Sequence, residues 1–319
     1  MAMAIVLVTY PMMAPTRGAT IQGIHSISVL VSKNRREKNP MVDGSSSISN
    51  TGAMNSRRHF VRSKETLGEK DMILTLEGPF PKVFPGQFAM LSSVEHWPVQ
   101  LPRPLSYFDV EPGNAGWARF LIKVIGPGTR ALASAEIGAE VCVTGPLGRG
   151  FDLWKDSEPV CIAGGVGLAP FLLLARERKA AGMPPLKILF GGANQAALVG
   201  QQAFPQGAVD WELSTDDGSE GFEGNVLELY RSLLSQGQVS ANSPVLCCGP
   251  DPMMAAVARF CADQGTPCSV SLETMMACGY GVCNGCSVPV RGEGRFAGKT
   301  YARTCVDGPV FDAGELLWP

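Results

Sequence analysis

The chain has 319 residues, 45% hydrophobic and 18% charged, with 27 Lys and Arg against 29 Asp and Glu. That length suits two domains and an appendage, and the near-neutral balance offers no electrostatic footprint for nucleic acid or an anionic membrane surface. Residues 1–14 are apolar but lack a basic n-region, are broken by Pro11 and Pro15, and fall short of a membrane span; no apolar run of transmembrane length occurs elsewhere.

Residues 1–54 are expected to stand outside the fold. The stretch from Ser32 to Ser56 is rich in Ser, Asn, Lys and Arg without periodicity. It reads as a disordered extension, or as the product of a reading frame begun ahead of Met41 or Met54.

Across 55–154, short β-forming segments alternate with Gly/Pro turns: MILTLEG, QFAMLSS, PLSYFDV, ARFLIKVIG and EVCVTGPLG. This rhythm predicts an antiparallel β-barrel or sandwich, with one short helix near Thr129 to Ala135. Within it, Arg103-Pro104-Leu105-Ser106-Tyr107 sets a guanidinium and a hydroxyl around a rigid proline. Arg suits a phosphate and Ser the polar edge of an isoalloxazine; a surface Arg on an edge strand is the alternative. Gly126-Pro127-Gly128-Thr129 then opens the helix, whose N-terminal N–H groups make a seat for a pyrophosphate. Two phosphate-directed features in one barrel point to a flavin dinucleotide.

Across 155–272 the order becomes strand, turn, helix: PVCIAGG and LAPFLLLARERKA, LKILFGG, VDWELST and GNVLELYRSLL, PVLCCG and DPMMAAVARFCADQG, then PCSVSLE. Such alternation predicts a doubly wound α/β domain with a parallel sheet. Gly164, Gly165 and Gly167 end its first strand, where bare backbone admits a second dinucleotide or serves only a tight turn. Cys248, before Gly249-Pro250, is placed to lie against a nicotinamide or to be a buried core thiol. Strand alternation turns Cys247 the other way, into the core.

Residues 273–319 carry Cys278, Cys283, Cys286 and Cys305, spaced C-x4-C-x2-C-x18-C in the run CGYGVCNGCSV. This is the plant-type arrangement for a [2Fe–2S] cluster. Gly279, Gly281 and Gly285 let the backbone turn tightly and bring N–H groups toward the sulfurs. A zinc-binding interaction module on a non-redox α/β protein is the alternative, although zinc ribbons usually present two C-x2-C pairs. Six further cysteines sit mostly in apolar stretches and read as reduced core residues, which with an oxygen-sensitive cluster implies a cytoplasmic setting. His25, His59 and His96 are scattered and are expected at the surface.

The succession R-P-x-S, G-x-G-T, G-G-x-G-x-x-P and C-G-P resembles the ferredoxin–NADP reductase superfamily. MMACGYGVCNGCSV followed by RTCVDGPVF is similar to the electron-transfer subunits of two-subunit, NAD-linked dihydroorotate dehydrogenases. The resemblance covers 57–315. It implies that Arg103, Ser106 and Tyr107 contact FAD, that Gly128 and Thr129 hold its pyrophosphate, and that Gly164, Gly165, Gly167 and Cys248 line the nicotinamide side. Asp216 and Asp217, in a T-D-D-G segment, would shape the nucleotide pocket, and residues 191–197 contain no Lys or Arg for a 2′-phosphate, favouring NAD.

By the same resemblance, electrons from dihydroorotate reach the chain from the FMN of a separate catalytic subunit, in a heterotetramer. They then pass through the cluster and FAD to NAD+ in pyrimidine biosynthesis. Met275, Met276, Tyr280 and Val282 are candidate contacts with that subunit. An NAD(P)H:ferredoxin transhydrogenase or sulfhydrogenase subunit is the related alternative. Two departures stand out: the 18-residue final gap is long for the family, and the N-terminal extension matches nothing in it.

Overall fold

The computed structural model describes residues 56–318 apart from Lys155. The expectations for 1–54 lie outside the described residues.

The first half builds one antiparallel sheet. Its strands are β1 (Ser56–Thr66), β2 (Asp71–Phe80), β3 (Phe88–Ser93), β4 (Arg103–Ser106), β5 (Asp109–Glu111) and β6 (Gly113–Lys123). Helix α1 (Pro127–Ser134) and strand β7 (Glu140–Leu147) complete it. The spatial order is β4-β3-β7-β1-β2-β6-β5. Alternate residues such as Leu74, Leu76, Ala118, Phe120 and Ile122 turn inward onto Leu132 of α1, giving this sheet its own core.

The second half is wound around a parallel sheet made of β8 (Val160–Gly164), α2 (Ala169–Ala180), β9 (Leu186–Gly192), β10 (Val209–Thr215), β11 (Phe222–Glu223), α3 (Val226–Ser235), β12 (Val245–Cys248), α4 (Asp251–Gln264) and β13 (Cys268–Ser271). β8, β9 and β12 are apolar almost throughout, as strands covered on both faces must be. The sheet runs β11-β10-β9-β8-β12-β13 and ends on β16 (Val310–Asp312), an antiparallel edge strand that follows the hairpin of β14 (Ser287–Pro289) and β15 (Tyr301–Arg303). Chain order reverses between β8 and β12, so the crevice outside their carboxyl ends is the topological switch point.

The two halves share a core. Ile73, Phe108 and Leu121 of the first sheet pack with Phe171 and Leu172 of α2 and with Ile188 and Phe190 of β9. An ion pair reinforces the contact: Arg176 of α2 lies 2.8 Å from Asp109 of β5 and donates to the Val110 carbonyl. Burial raises the Asp109 pKa while Arg176 opposes the shift. Arg178, two residues on and on the opposite side of α2, is 2% exposed and donates to the carbonyls of Leu153 (2.6 Å), Trp154 (2.9 Å) and Ser157 (3.4 Å), pinning the segment that joins the halves.

One expectation fails here. His59 lies in β1, 3% exposed and stacked on Phe80 at 4.1 Å. Burial and the neighbouring Arg57 lower its pKa to about 4, so it is a neutral core residue and not a solvated one. Its sequence neighbours Arg58 and Phe60 occupy the opposite, exposed face of the strand.

Candidate functional site

Three groups of residues converge around the barrel and the switch point. The first joins β4 to α1. A side chain on Gly128 would meet Arg103 Nε at 2.8 Å and the Trp97 ring at 3.1 Å, so the bare glycine lets the guanidinium lie on the helix N-terminus. Arg103 Nη1 donates to the Leu101 carbonyl at 3.0 Å, and its guanidinium carbon sits 6.0 Å from the Trp97 ring centre. The cation and the first helical N–H groups thus occupy one place, as an anion requires. The Thr129 hydroxyl is committed locally, accepting from the Ile125 and Gly126 N–H groups at 3.1 Å, so residue 129 offers backbone outward.

Pro104, Leu105 and Ser106 are half-buried along β4. Tyr107 departs from them. It is 1% exposed, its ring packs on Phe120 at 5.1 Å, and its hydroxyl lies beside Gly145 with no hydrogen-bond partner among the described residues. Burial raises its pKa further above the ordinary phenol value.

The second group lies at the switch point. Side chains on Gly164 and Gly167 would strike Met253 Sδ at 2.7 Å and the Cys248 carbonyl at 2.3 Å, so these two glycines let the turns after β8 and β12 cross. Gly165, at φ +55, faces open space and is the bare backbone available to a ligand. The Cys248 thiol is 2% exposed and hydrogen-bonded to Ser271; burial, with the nearby Glu273 adding to it, keeps it protonated. Cys247 belongs to the core on the other face, as strand alternation requires. At the end of β10, the Asp216 N–H donates to the Gly192 carbonyl at 3.1 Å, while exposed Asp217 accepts from the Ser219 hydroxyl (2.6 Å) and N–H (3.0 Å), which lowers its pKa.

The third group holds the cysteines. Cys278 and Cys283 are side-chain partners, as are Cys286 and Cys305. No three His, Cys, Asp or Glu side chains converge on one point among the described residues; the thiols are arranged two and two, which suits two irons that each take two thiolates. The backbone favours thiolate. Burial opposes ionisation of Cys278, but N–H groups of Cys283, Tyr280 and Val282 turned toward its sulfur bring its pKa down to about 6. Burial and the Cys286 side chain push Cys305 up to about 12, against an N–H from Gly281. The donor set therefore fits an iron–sulfur cluster held by thiolates and tuned by amides.

This loop is docked on the barrel. Met276, Cys286 and Cys305 pack with Phe88 and Met90 of β3, beside Leu147. Gly279, at φ +81, lies so close that a Cβ would be 2.5 Å from Met90 Cγ. Met90 is the register partner of Pro104, so the cysteine loop stands one strand away from Arg103–Ser106. Met276 is buried in this contact, which corrects its expected place on an outward surface, whereas Met275, Tyr280 and Val282 are exposed, Met275 to 88%. Sequence reasoning missed Trp97, Met90 and Arg303, whose contacts depend on residues distant along the chain.

A family model for the iron–sulfur cluster binding domain of dihydroorotate dehydrogenase B matches residues 273–317, which displaces the zinc alternative. The dihydroorotate dehydrogenase B (NAD+) electron transfer subunit of Clostridium acetobutylicum is 34% identical over 245 residues, 76% of this chain and 90% of that protein. Its counterpart in Caldanaerobacter subterraneus subsp. tengcongensis is 33% identical over 81% of this chain and 97% of its own length. Among solved structures, an NADH-dependent reduced ferredoxin–NADP oxidoreductase superposes with a TM-score of 0.70 at 26% identity, over 84% of this chain and 91% of the other. Phthalate dioxygenase reductase shares the fold at a TM-score of 0.54 and 17% identity, over 74% and 87% of the two chains.

Proposed function

Because the chain belongs to the family of dihydroorotate dehydrogenase B (NAD+) electron-transfer subunits, we propose that it carries electrons from the FMN of a dihydroorotate-oxidising catalytic subunit, through a [2Fe–2S] cluster and FAD, to NAD+ in pyrimidine biosynthesis. Bound flavin supplies the exchange between one-electron and two-electron partners. The observation that carries the reading is the docking of the cysteine loop on β3, one strand from Arg103–Ser106.

Each region then has a task. Arg103 and the backbone at Gly128 and Thr129 hold the FAD pyrophosphate, with Pro104, Leu105 and Ser106 along the flavin. Tyr107 supports that strand from the barrel interior. Gly165 admits the nicotinamide dinucleotide, Gly164 and Gly167 allow the crossing turns that shape its crevice, and Cys248 closes the crevice from below. Asp216 and Asp217 rim the nucleotide pocket. Cys278, Cys283, Cys286 and Cys305 ligate the cluster, and exposed Met275, Tyr280 and Val282 meet the catalytic subunit in a heterotetramer. We assign 55–154 to FAD, 155–272 to NAD and 273–319 to the cluster. No helix among the described residues is long and apolar enough to cross a membrane. Ten unpaired thiols suit the reducing cytoplasm.

The test is the visible spectrum of anaerobically purified protein with iron and sulfide assayed, before and after NADH. Flavin bands, a cluster shoulder, two irons per chain and bleaching by NADH are expected. Dihydroorotate should bleach the same bands once the catalytic subunit is added. Exchange between NADPH and ferredoxin without any response to dihydroorotate would overturn the assignment in favour of the transhydrogenase alternative.

A further inference from the structure

The long gap between Cys286 and Cys305 raises a mechanical question: what holds the fourth thiol against a loop 18 residues away? Part of the answer is backbone. The Thr304 N–H and hydroxyl both donate to the Cys286 carbonyl at 3.0 Å. The rest is Arg303, at the end of β15. Its Nη1 donates to the Gly281 carbonyl at 2.8 Å, midway between Cys278 and Cys283, while the Gly281 N–H faces the Cys305 sulfur. Gly281 is at φ +88, and a Cβ there would be 2.6 Å from Val306 and 3.3 Å from Arg303 Nη1, so only bare backbone allows this approach. The guanidinium is aimed by its own turn: the Arg303 N–H donates to Asp307 Oδ2 at 2.8 Å, and that oxygen lies 3.9 Å from Arg303 Nε.

We propose that Arg303 is a positioning residue for the cluster, clasping the Cys278–Cys286 loop to the Cys305 turn, and that its charge raises the cluster's reduction potential, with Asp307 moderating it. The inference rests on the assignment of the four thiols to a [2Fe–2S] cluster. Its electrostatic part follows from charge. Reduction adds one negative charge to the thiolate-ligated centre, so a cation on the peptide that contacts a ligating sulfur favours the reduced state, and a carboxylate beside that cation works against it. The Arg303 side chain is 40% exposed, so solvent damps the effect without reversing its sign.

The experiment is a potentiometric titration of the cluster in the full-length, flavin-loaded protein, followed by its paramagnetic resonance signal in the reduced state, with iron counted per chain. Three variants are compared: Arg303→Lys, Arg303→Gln and Asp307→Asn. Arg303→Gln removes the charge, and its side chain ends two bonds short of the Nη1 that reaches the Gly281 carbonyl; its potential should fall below that of the native protein. Arg303→Lys should stay near the native value, and Asp307→Asn should rise above it. If Arg303→Gln loses iron, Asp307→Asn still decides the matter through the sign of its shift. Native potentials in both neutralising variants, or shifts of the same sign in both, would overturn the proposal. Native protein without two irons and a cluster signal would instead refute the cluster assignment itself, so the two failures are distinguishable.

Discussion

Gly279→Ala tests the docking of the cysteine loop on the barrel. The substitution meets two obstacles. At φ +81 an alanine is strained, at roughly 1–2 kcal/mol for an L-residue in the left-handed region. Its Cβ would also fall 2.5 Å from Met90 Cγ and 2.7 Å from Met90 Sδ, within a fully packed group, and overpacking of this kind costs about 1–3 kcal/mol. Together these amount to about 2–5 kcal/mol against the docked loop, or roughly 30- to 5,000-fold in its undocking equilibrium. Iron and sulfide per chain, measured after gel filtration with a chelator present, should fall well below the native value, while the FAD content stays at the native level. Gly265→Ala is the control, since Gly265 at the C-terminus of α4 has a similar φ of +69 but open space around it. Equal retention of iron by the Gly279 and Gly265 variants would refute the reasoning, because the added methyl group would then not have displaced the loop from Met90.

Gly128→Ala should push the Arg103 guanidinium off the helix N-terminus and weaken FAD binding by about tenfold, with the apoprotein melting within a few degrees of native; equilibrium dialysis against FAD reads it. His59→Phe probes acid stability. The folded pKa near 4 lies below the ordinary 6.5, so the unfolded chain binds the extra proton between those values, and native stability is full above pH 6.5 and lost as pH falls toward 4, by about 3 kcal/mol. Urea titrations should show that this part of the slope disappears in the variant, and an unchanged slope would assign it to other groups. Arg178→Met leaves the carbonyls of Leu153, Trp154 and Ser157 without their donor and should destabilise the protein by about 3 kcal/mol, measured by chemical denaturation.

Some of this architecture can be read before folding is considered, and the division has physical causes. The parallel strands are continuous apolar runs between glycine turns, so β8, β9 and β12 are evident in the sequence. β1 is not, because only His59 and Val61 of SRRHFVRSKET are buried and no apolar pattern marks it. PLSYFDV reads as one strand but divides into β4 and β5, since Tyr107 and Phe108 are both buried and break the alternation. The cysteine spacing announces a cluster, whereas the residues that hold its loop in place do not show in any local pattern. Met90 lies far upstream of Gly279, and Arg303 looks like an ordinary basic residue until the chain closes. Cys248 stands open in the sequence between a nicotinamide contact and a core thiol, and folding buries its side chain.

The edge strand β16 has an implication for how such a chain can be cut and recombined. The segment that carries the cysteines also supplies the outermost strand of the nucleotide sheet, and it is fastened to both halves by bonds from Leu272 N–H to the Pro309 carbonyl and from Arg149 N–H to the Gly308 carbonyl. Removing it would not yield a cluster-free reductase. It would strip β13 of its neighbour and present raw strand edge to solvent, an invitation to aggregate. Redox centres at the end of a chain are often imagined as cartridges, to be exchanged by fusing one cassette for another. Here the cartridge and its housing are woven from the same sheet, and any graft has to carry the final strand with it.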